Sequence, residues 1–138
     1  MPDETPRQSM LLLAAVCLLA GCGGDPAAKT GFHEVNERRF FANSLGMQFV
    51  QLPGGDAWLG VWETRVADYA VFASATTNGW QAAWFQDTDR HPAVNVQWDD
   101  AQAFCAWLSR RERESDLLAA DEGYRLPTSS EWTAALDQ

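Results

Sequence analysis

Cysteine thiols are the side chains of this sequence with the widest chemical repertoire, as nucleophiles or as metal ligands. Cys17 and Cys22 lie within or directly after an apolar N-terminal run, which leaves Cys105 as the one thiol further along the chain. Cys105 falls on an apolar stripe with Phe104 and Leu108 in a predicted helix. A small buried hydrophobic side chain is the favoured interpretation. A reactive thiol and a cysteine whose partner lies outside this sequence are the alternatives.

Histidines and carboxylates have no spacing typical of an enzyme or a metal site. The two histidines are isolated, and the sequence has no HExxH, CxxC, nucleophile-elbow or glycine-rich phosphate pattern. Two carboxylate pairs, Asp87 with Asp89 and Asp99 with Asp100, could bind calcium or transfer protons. Helix caps and solvated loops explain both pairs more simply. We therefore assign no catalytic residue and no metal ligand from spacing.

Two tryptophans, Trp80 and Trp84, are the weak candidates for ligand binding. They lie in an aromatic-rich stretch without clear periodicity, which favours a packed loop. Because indole rings stack on sugars and on peptides, this loop could bind a glycan or a protein ligand. Structural packing is the simpler use of the same rings, and both interpretations stay open.

The N-terminal residues are predicted to be a secretion signal rather than part of a fold. Residues 10–20 are apolar but too few for a comfortable membrane span. Their end, LAGC at residues 19–22, resembles the lipobox of bacterial lipoproteins, whose cysteine carries the lipid. An uncleaved anchor and a buried core helix are the alternatives.

From this resemblance we predict a signal peptide over residues 1–21, lipidation of Cys22 and a tether over residues 22–42. The partner of this segment is therefore a membrane, reached through the lipid. The localisation that follows is the bacterial cell envelope, with the domain in the periplasm or outside the cell.

The remaining residues, 43–138, form the predicted domain, built of short elements. Residues 47–52 and 57–62 flank a Pro-Gly-Gly turn and predict a hairpin. One helix is predicted from near Thr64, and another with Asp99 as its N-cap, supported by a glutamine three residues on. Burial is expected for a set of large apolar side chains: Trp98, Phe104, Trp107 and Leu126.

A further helix is predicted to begin very close to the end of the sequence. Thr128 and Glu131 have the spacing of a capping box. Trp132, Ala135 and Leu136 then fall on one helical face, which needs a surface to pack against. The sequence gives no obvious partner for that face.

Composition limits the classes of protein that fit. A chain of 138 residues with 46% hydrophobic side chains has room for one modest globular domain. Its formal net charge of −9 opposes binding to nucleic acid or to an anionic membrane through charge alone, because both require a basic patch. We therefore expect no nucleic-acid partner.

Seven segments of the domain stand in a recognisable order. They are NSLGM (43–47), PGG (53–55), ETR (63–65) before Tyr69, HPAVNV (91–96), WDDA (98–101), AFCAWL (103–108), and YRLPT (124–128) with Glu131 and Trp132. Together they resemble the formylglycine-generating enzyme, or sulfatase-modifying factor, domain family. The resemblance implies an α+β fold related to the C-type lectins, with much irregular loop, of which this sequence would hold the N-terminal half.

The same resemblance implies what chemistry to expect. Members of the family oxidise a substrate cysteine to formylglycine with oxygen and copper held by two cysteines, and they bind calcium. The residues responsible belong to a second half that this sequence does not contain, so the resemblance implies no catalytic residue, metal ligand or cofactor here. Cys105 matches a cysteine that is structural in some members.

Three functions are compatible with these patterns. The first is part of an oxidoreductase of the family, completed by a separate C-terminal half. The second is a lectin-like binding module or pseudoenzyme of the cell envelope, with a protein or glycan ligand. The third is a fragment with little activity of its own. We expect a membrane-anchored lipoprotein with a domain of this family that is inactive as written.

Overall fold

A computed structural model of the protein describes the backbone of residues 15–18 and, with their side chains, residues 31–53, 57–86 and 88–136. Helices and antiparallel strands are mixed, which confirms the predicted α+β class. The elements are β1 (Ala15–Leu18), β2 (Phe32–Val35), β3 (Arg38–Ala42), β4 (Gln48–Gln51), β5 (Trp58–Gly60), α1 (Val66–Ala75), α2 (Trp98–Glu114), β6 (Gly123–Arg125) and α3 (Ser129–Leu136).

The larger sheet has four antiparallel strands in the order β2-β3-β4-β5. Its second hairpin, β4–β5, confirms the hairpin predicted from the sequence, with Val50 opposite Leu59. Its first hairpin turns at Asn36 and Glu37, both with positive φ, at 50° and 64°. A two-residue turn with positive φ at both positions matches the twist of the strands that it joins.

Strands β2 and β3 lie within residues 22–42, which the sequence assigned to the tether. The ordered domain therefore begins earlier than residue 43. Phe32 anchors β2, because its ring lies 5.1 Å from that of Phe41 and 5.4 Å from that of Trp58. The remaining residues of β2 are exposed, so this edge strand has no alternating apolar pattern that sequence analysis could detect.

Gly31 marks the point where the chain enters the sheet. Its carbonyl accepts a hydrogen bond of 3.0 Å from the backbone N–H of Ala42. Its φ is 120°, and a Cβ atom there would lie 2.6 Å from the Ala42 carbonyl oxygen. Only glycine combines this conformation with so close a backbone approach.

The hydrophobic core lies between the four-stranded sheet and helices α1 and α2. Phe49 and Trp58 contribute from the sheet, Tyr69 from α1, and Phe104 and Leu108 from α2. The predicted apolar stripe of α2, which includes Cys105, is confirmed as buried. Burial of these large side chains is the main stabilising contribution that the described residues offer.

The expectation of burial fails at one residue of the four. Phe104 is buried, and Trp107 and Leu126 are half-buried against the core. Trp98, in contrast, is 50% exposed. It lies in the first turn of α2, one turn before Ala101 opens the buried stripe.

The start of α2 also differs from the sequence-based assignment. Its N-cap is Gln97 rather than Asp99, and its capping partner is Asp100 rather than Gln102. The carboxylate of Asp100 accepts a hydrogen bond of 3.4 Å from the Gln97 N–H. A capping box fits the sequence in either register, and the structure adopts the earlier one.

A buried polar contact fixes the loop between β3 and β4 to α2. The Asn43 side-chain oxygen accepts hydrogen bonds from the N–H groups of Leu45 and Met47, at 3.0 and 2.9 Å. The Ser44 hydroxyl donates to the carboxylate of Glu112, which is fully buried. These bonds satisfy backbone groups that would otherwise be unpaired away from water.

The smaller sheet pairs β1 with β6 in antiparallel fashion. Strand β1 falls within residues 1–21, the predicted signal peptide, while Cys22 and most of that segment lie outside the described residues. The signal peptide and the lipid site stay predictions. Within the described ranges, no helix is both long and apolar enough to cross a membrane.

Helix α3 begins as the sequence predicts. The Thr128 N–H donates to Glu131 at 2.8 Å, and the Glu131 N–H donates back to the threonine hydroxyl at 3.3 Å, which confirms the capping box. None of the eight residues of α3 is buried, and Leu136 is 71% exposed. Ala135 of α3 packs against Leu52 and Leu59.

Candidate ligand-binding cleft

A cleft of about 400 Å³ opens where the chain leaving β5 meets the segment before α2. Its size lies within the range of clefts that hold small molecules. The lining side chains combine an indole, two guanidinium groups, a carboxylate and a proline ring: Trp62, Glu63, Arg65, Arg90 and Pro92. This mixture of an aromatic surface and a few polar groups is typical of ligand-binding sites.

Backbone hydrogen bonds fix the two walls of the cleft relative to each other. The N–H groups of Val66 and Ala67 donate to the carbonyls of His91 and Asp89, at 2.8 and 3.0 Å. In the opposite direction, the Ala93 N–H donates to the Thr64 carbonyl at 2.8 Å. The cleft therefore lies between two chain segments joined as in a short sheet.

The Arg65 guanidinium is held in place within the cleft. Its Nε and Nη2 atoms donate to the two carboxylate oxygens of Asp68, at 2.9 and 2.8 Å. This hydrogen bonding raises the pKa of Arg65. The guanidinium also lies 5.0 Å from the centre of the Trp62 ring, at cation–π distance. Arg65 therefore fixes the orientation of the indole, while its own charge is neutralised by Asp68.

Glu63 and Arg90 carry the other two charged groups that line the cleft. Neither side chain makes a hydrogen bond or an ion pair with any residue that the structure describes. Glu63 is half-buried and Arg90 is exposed. With respect to the described part of the chain, the cleft thus offers one acceptor group and one donor group without a partner beside the indole of Trp62.

The two tryptophans named from the sequence have different environments. The Trp80 Nε1–H donates to the Val94 carbonyl at 2.8 Å, and its ring lies 5.0 Å from that of Tyr69. Trp80 is therefore half-buried against the core. Trp84 is 93% exposed, and its ring meets Phe85 edge-on at 5.7 Å.

The loop that carries Trp84 is attached to the cleft through Gln86. The Gln86 side chain accepts a hydrogen bond of 2.6 Å from the Ala83 N–H and donates to the Pro92 carbonyl. Pro92 also lines the cleft, whereas Trp84 and Phe85 are not among its lining residues. Trp62, which does line the cleft, was not singled out by sequence analysis, since it closes a predicted strand and nothing local marks it as accessible.

Cys105 has the environment of a structural side chain. Among the described residues it is a free thiol, buried in the core beside Phe104. Burial raises the pKa of Cys105 to about 12. The protonated thiol is a poor nucleophile and a poor metal ligand, because both roles need the thiolate.

The described residues do not fit the copper and calcium ions that the family resemblance implies. Within the described ranges, no group of three histidine, cysteine or acidic side chains could hold a metal ion. The acidic pair Asp99 and Asp100 lies in the first turn of α2, where Asp100 is the capping partner. Copper and calcium stay predictions that concern residues other than these.

Comparisons with known proteins give one match. No curated protein and no solved structure matches the chain. The model of the sulfatase-modifying factor enzyme 1-like domain family matches residues 31–137. This range contains all the described elements from β2 to α3 and the cleft between them. The chain therefore belongs to the sulfatase-modifying factor enzyme 1-like domain family.

Proposed function

We propose that this protein is a lipid-anchored binding module of the bacterial cell envelope, with a fold related to the C-type lectins. The observation that carries the proposal is the cleft at Trp62, where an accessible indole stands beside a carboxylate and a guanidinium that have no partner among the described residues. Such a combination binds small polar ligands through stacking and hydrogen bonds.

The anchoring part of the proposal is supported by the N-terminal sequence. The LAGC pattern places a cysteine directly after an apolar run of signal-peptide length. Residues 23–30, rich in glycine and alanine, then separate Cys22 from the point where the chain enters the sheet. A tether of this length keeps the domain close to the membrane surface.

Binding is favoured over catalysis by the environment of the reactive side chains. The Cys105 thiol is buried and protonated, and the Arg65–Asp68 pair is already satisfied within the protein. Glu63 and Arg90 lie together at an accessible surface, where they can form hydrogen bonds without a covalent step.

Two experiments test the two parts of this proposal. Radiolabelled palmitate should enter the wild-type protein in its own cell and be absent from Cys22→Ser, since the lipid requires the thiol. The soluble Cys22→Ser protein, freed of its signal segment, should co-sediment with detergent-washed envelopes of the same cell. The proposal is wrong if retention on the envelopes is unaffected by Trp62→Ala.

The family match favours an oxidoreductase as the second candidate function. In that case the protein, together with any polypeptide bound to it in the cell, oxidises a peptide cysteine to formylglycine: the C–S bond is replaced by C=O, the sulfur leaves as hydrogen sulfide, and oxygen is reduced to water with two further electrons from a thiol reductant. Aldehyde formation on a cysteine peptide, detected with a hydrazide probe in the presence of copper, oxygen and a thiol reductant, tests this. Turnover by the natively purified material would support the oxidoreductase, and retention on envelopes without turnover would support the binding module.

A further inference from the structure

We propose that the cleft at Trp62 binds the ring of a neutral sugar, with Trp62 as the stacking platform and Glu63 and Arg90 as its hydrogen-bonding partners. This inference rests on the proposed binding function and names the ligand class for it. The three side chains line one cavity of about 400 Å³, which suits one or two sugar rings.

The platform is fixed before any ligand arrives. Asp68 is buried and holds one edge of the Arg65 guanidinium through two hydrogen bonds, and Arg65 in turn lies over the Trp62 ring. Trp62 nevertheless remains 36% exposed, so part of its ring surface is available to a ligand. A side chain that is already oriented loses little conformational entropy on binding.

The charges of the cleft favour a ligand without net charge. Arg65 is neutralised by the buried Asp68, and the charge of Arg90 is opposite to that of Glu63, so the lining groups together with Asp68 sum to zero. The protein as a whole carries a formal charge of −9, which repels anionic ligands at long range. A sugar hydroxyl can donate to Glu63 and another can accept from Arg90, whereas the C–H face of the ring covers the indole.

A zwitterionic amino acid or dipeptide is the main competing ligand. Its ammonium and carboxylate groups could meet Glu63 and Arg90, but Arg90 is exposed to solvent. Ion pairs at exposed positions contribute little and are screened by salt. Stacking on the indole does not depend on salt, so the geometry favours the neutral ring.

The test is a titration of the soluble Cys22→Ser protein, followed through its tryptophan indole N–H signals by NMR. The probes are the methyl glycosides of glucose, galactose, mannose and N-acetylglucosamine, with glucuronic acid and glycylglycine as charged comparisons. We expect the Trp62 signal, identified by its loss in Trp62→Ala, to shift with a dissociation constant on the order of 1 mM for at least one glycoside. That affinity should be unchanged between low and high salt.

Variants separate the cleft from other exposed aromatic and basic residues. Trp62→Ala should abolish binding, and Glu63→Gln and Arg90→Gln should each weaken it by about 3- to 10-fold, as expected for one hydrogen bond. Trp98→Ala and Arg38→Gln are matched controls, since both residues are exposed and neither lines the cleft. These two substitutions should leave the affinity unchanged.

Three outcomes would overturn the inference. The inference is wrong if no neutral glycoside shifts the Trp62 signal, or if the affinity is the same in Trp62→Ala. It is also wrong if glycylglycine binds at Trp62 in a salt-dependent manner while the glycosides do not bind. In the last case the binding module stands with a different ligand class. If retention on envelopes did not depend on Trp62, the proposed binding function itself would be wrong.

Discussion

Helices α2 and α3 are stabilised in opposite ways. The 17-residue α2 buries a continuous stripe against the sheet, with Phe104 and Leu108 almost fully enclosed. The eight-residue α3 has no fully buried side chain and is held mainly by its capping box and by the Arg125–Glu131 ion pair, with Ala135 packed on Leu52 and Leu59. Isolated helices of that length are marginal in water. Apolar burial therefore supports one helix, and local polar contacts support the other.

This contrast indicates where the domain can tolerate change. Removing a large side chain from the buried face of α2 leaves a cavity that the sheet cannot fill. Removing an exposed group from α3 alters a few hydrogen bonds that water can replace. Four substitutions, from the largest expected effect to the smallest, would test the contrast.

Phe104→Ala should have the largest effect, lowering the free energy of unfolding by about 3–5 kcal/mol, because it removes a fully buried ring. The ring contacts Tyr69, Phe72 and Trp107, which cannot all move to close the space. Urea denaturation followed by far-UV circular dichroism measures the change. A loss below about 1 kcal/mol would contradict the core assigned to α2.

Asn43→Ala should lower the free energy of unfolding by about 1–3 kcal/mol, since it leaves two backbone N–H groups without their acceptor. The same urea titration applies. Ser115→Ala is the control, because the hydroxyl of Ser115 makes an exposed hydrogen bond at the end of α2. Equal effects of the two substitutions would mean that burial does not strengthen the contribution of Asn43.

Glu131→Gln should cost less than about 1 kcal/mol, because the ion pair with Arg125 remains partly exposed to solvent. Hydrogen bonding to Arg125, with further bonds from Thr128, lowers the pKa of Glu131 from 4.5 to about 2. The folded state thus binds this proton less readily than the unfolded state, so the contribution is present above pH 4.5 and is lost as the pH falls toward 2.

The measurement for this pair is the unfolding free energy between pH 2 and 6 for wild type and Glu131→Gln. The difference between the two proteins should shrink as the pH falls. A double substitution with Arg125→Gln gives the coupling of the pair. A difference that stays constant with pH would show that the ion pair does not account for the effect.

Trp132→Ala should have the smallest effect, within about 0.5 kcal/mol, since this ring is exposed on α3. Thermal unfolding of the purified protein at several concentrations measures it. A much larger loss of unfolding free energy would mean that Trp132 packs against the surface of a partner. The exposed face of α3 would then be an assembly interface.

Patterns that depend on neighbouring residues were predictable from the sequence. The stripe of α2 has helical spacing, and the capping box of α3 depends on residues three positions apart, so both could be identified before folding. Strands β2 and β3 could not, because burial of Phe32 depends on Phe41 and Trp58, which reach it only across the sheet. Trp98 was misassigned since its spacing fits the stripe although the core ends before it.

The candidate cleft was harder to predict than the core. Trp62 and Arg90 are far apart in the sequence, and backbone bonds between residues 64–67 and 89–93 bring them to one cavity. No local sequence pattern predicts that Trp62 and Arg90 line the same cavity. The sequence analysis selected Trp80 and Trp84 instead, because a stretch rich in aromatic residues can be found in a sequence, whereas the solvent exposure of a side chain cannot.

The attachment of Gly31 has a mechanical consequence. If Cys22 carries a lipid, any tension between the membrane and the domain enters at Gly31 and acts on β2, an edge strand. Pulling from this end would break the bond from the Ala42 N–H to the Gly31 carbonyl first, and then the pairs that begin with Phe32 and Phe41, one after another. Hydrogen bonds loaded in sequence resist less force than bonds loaded together. The first hairpin would therefore unfold at a lower force than the core around Phe104, which would stay folded.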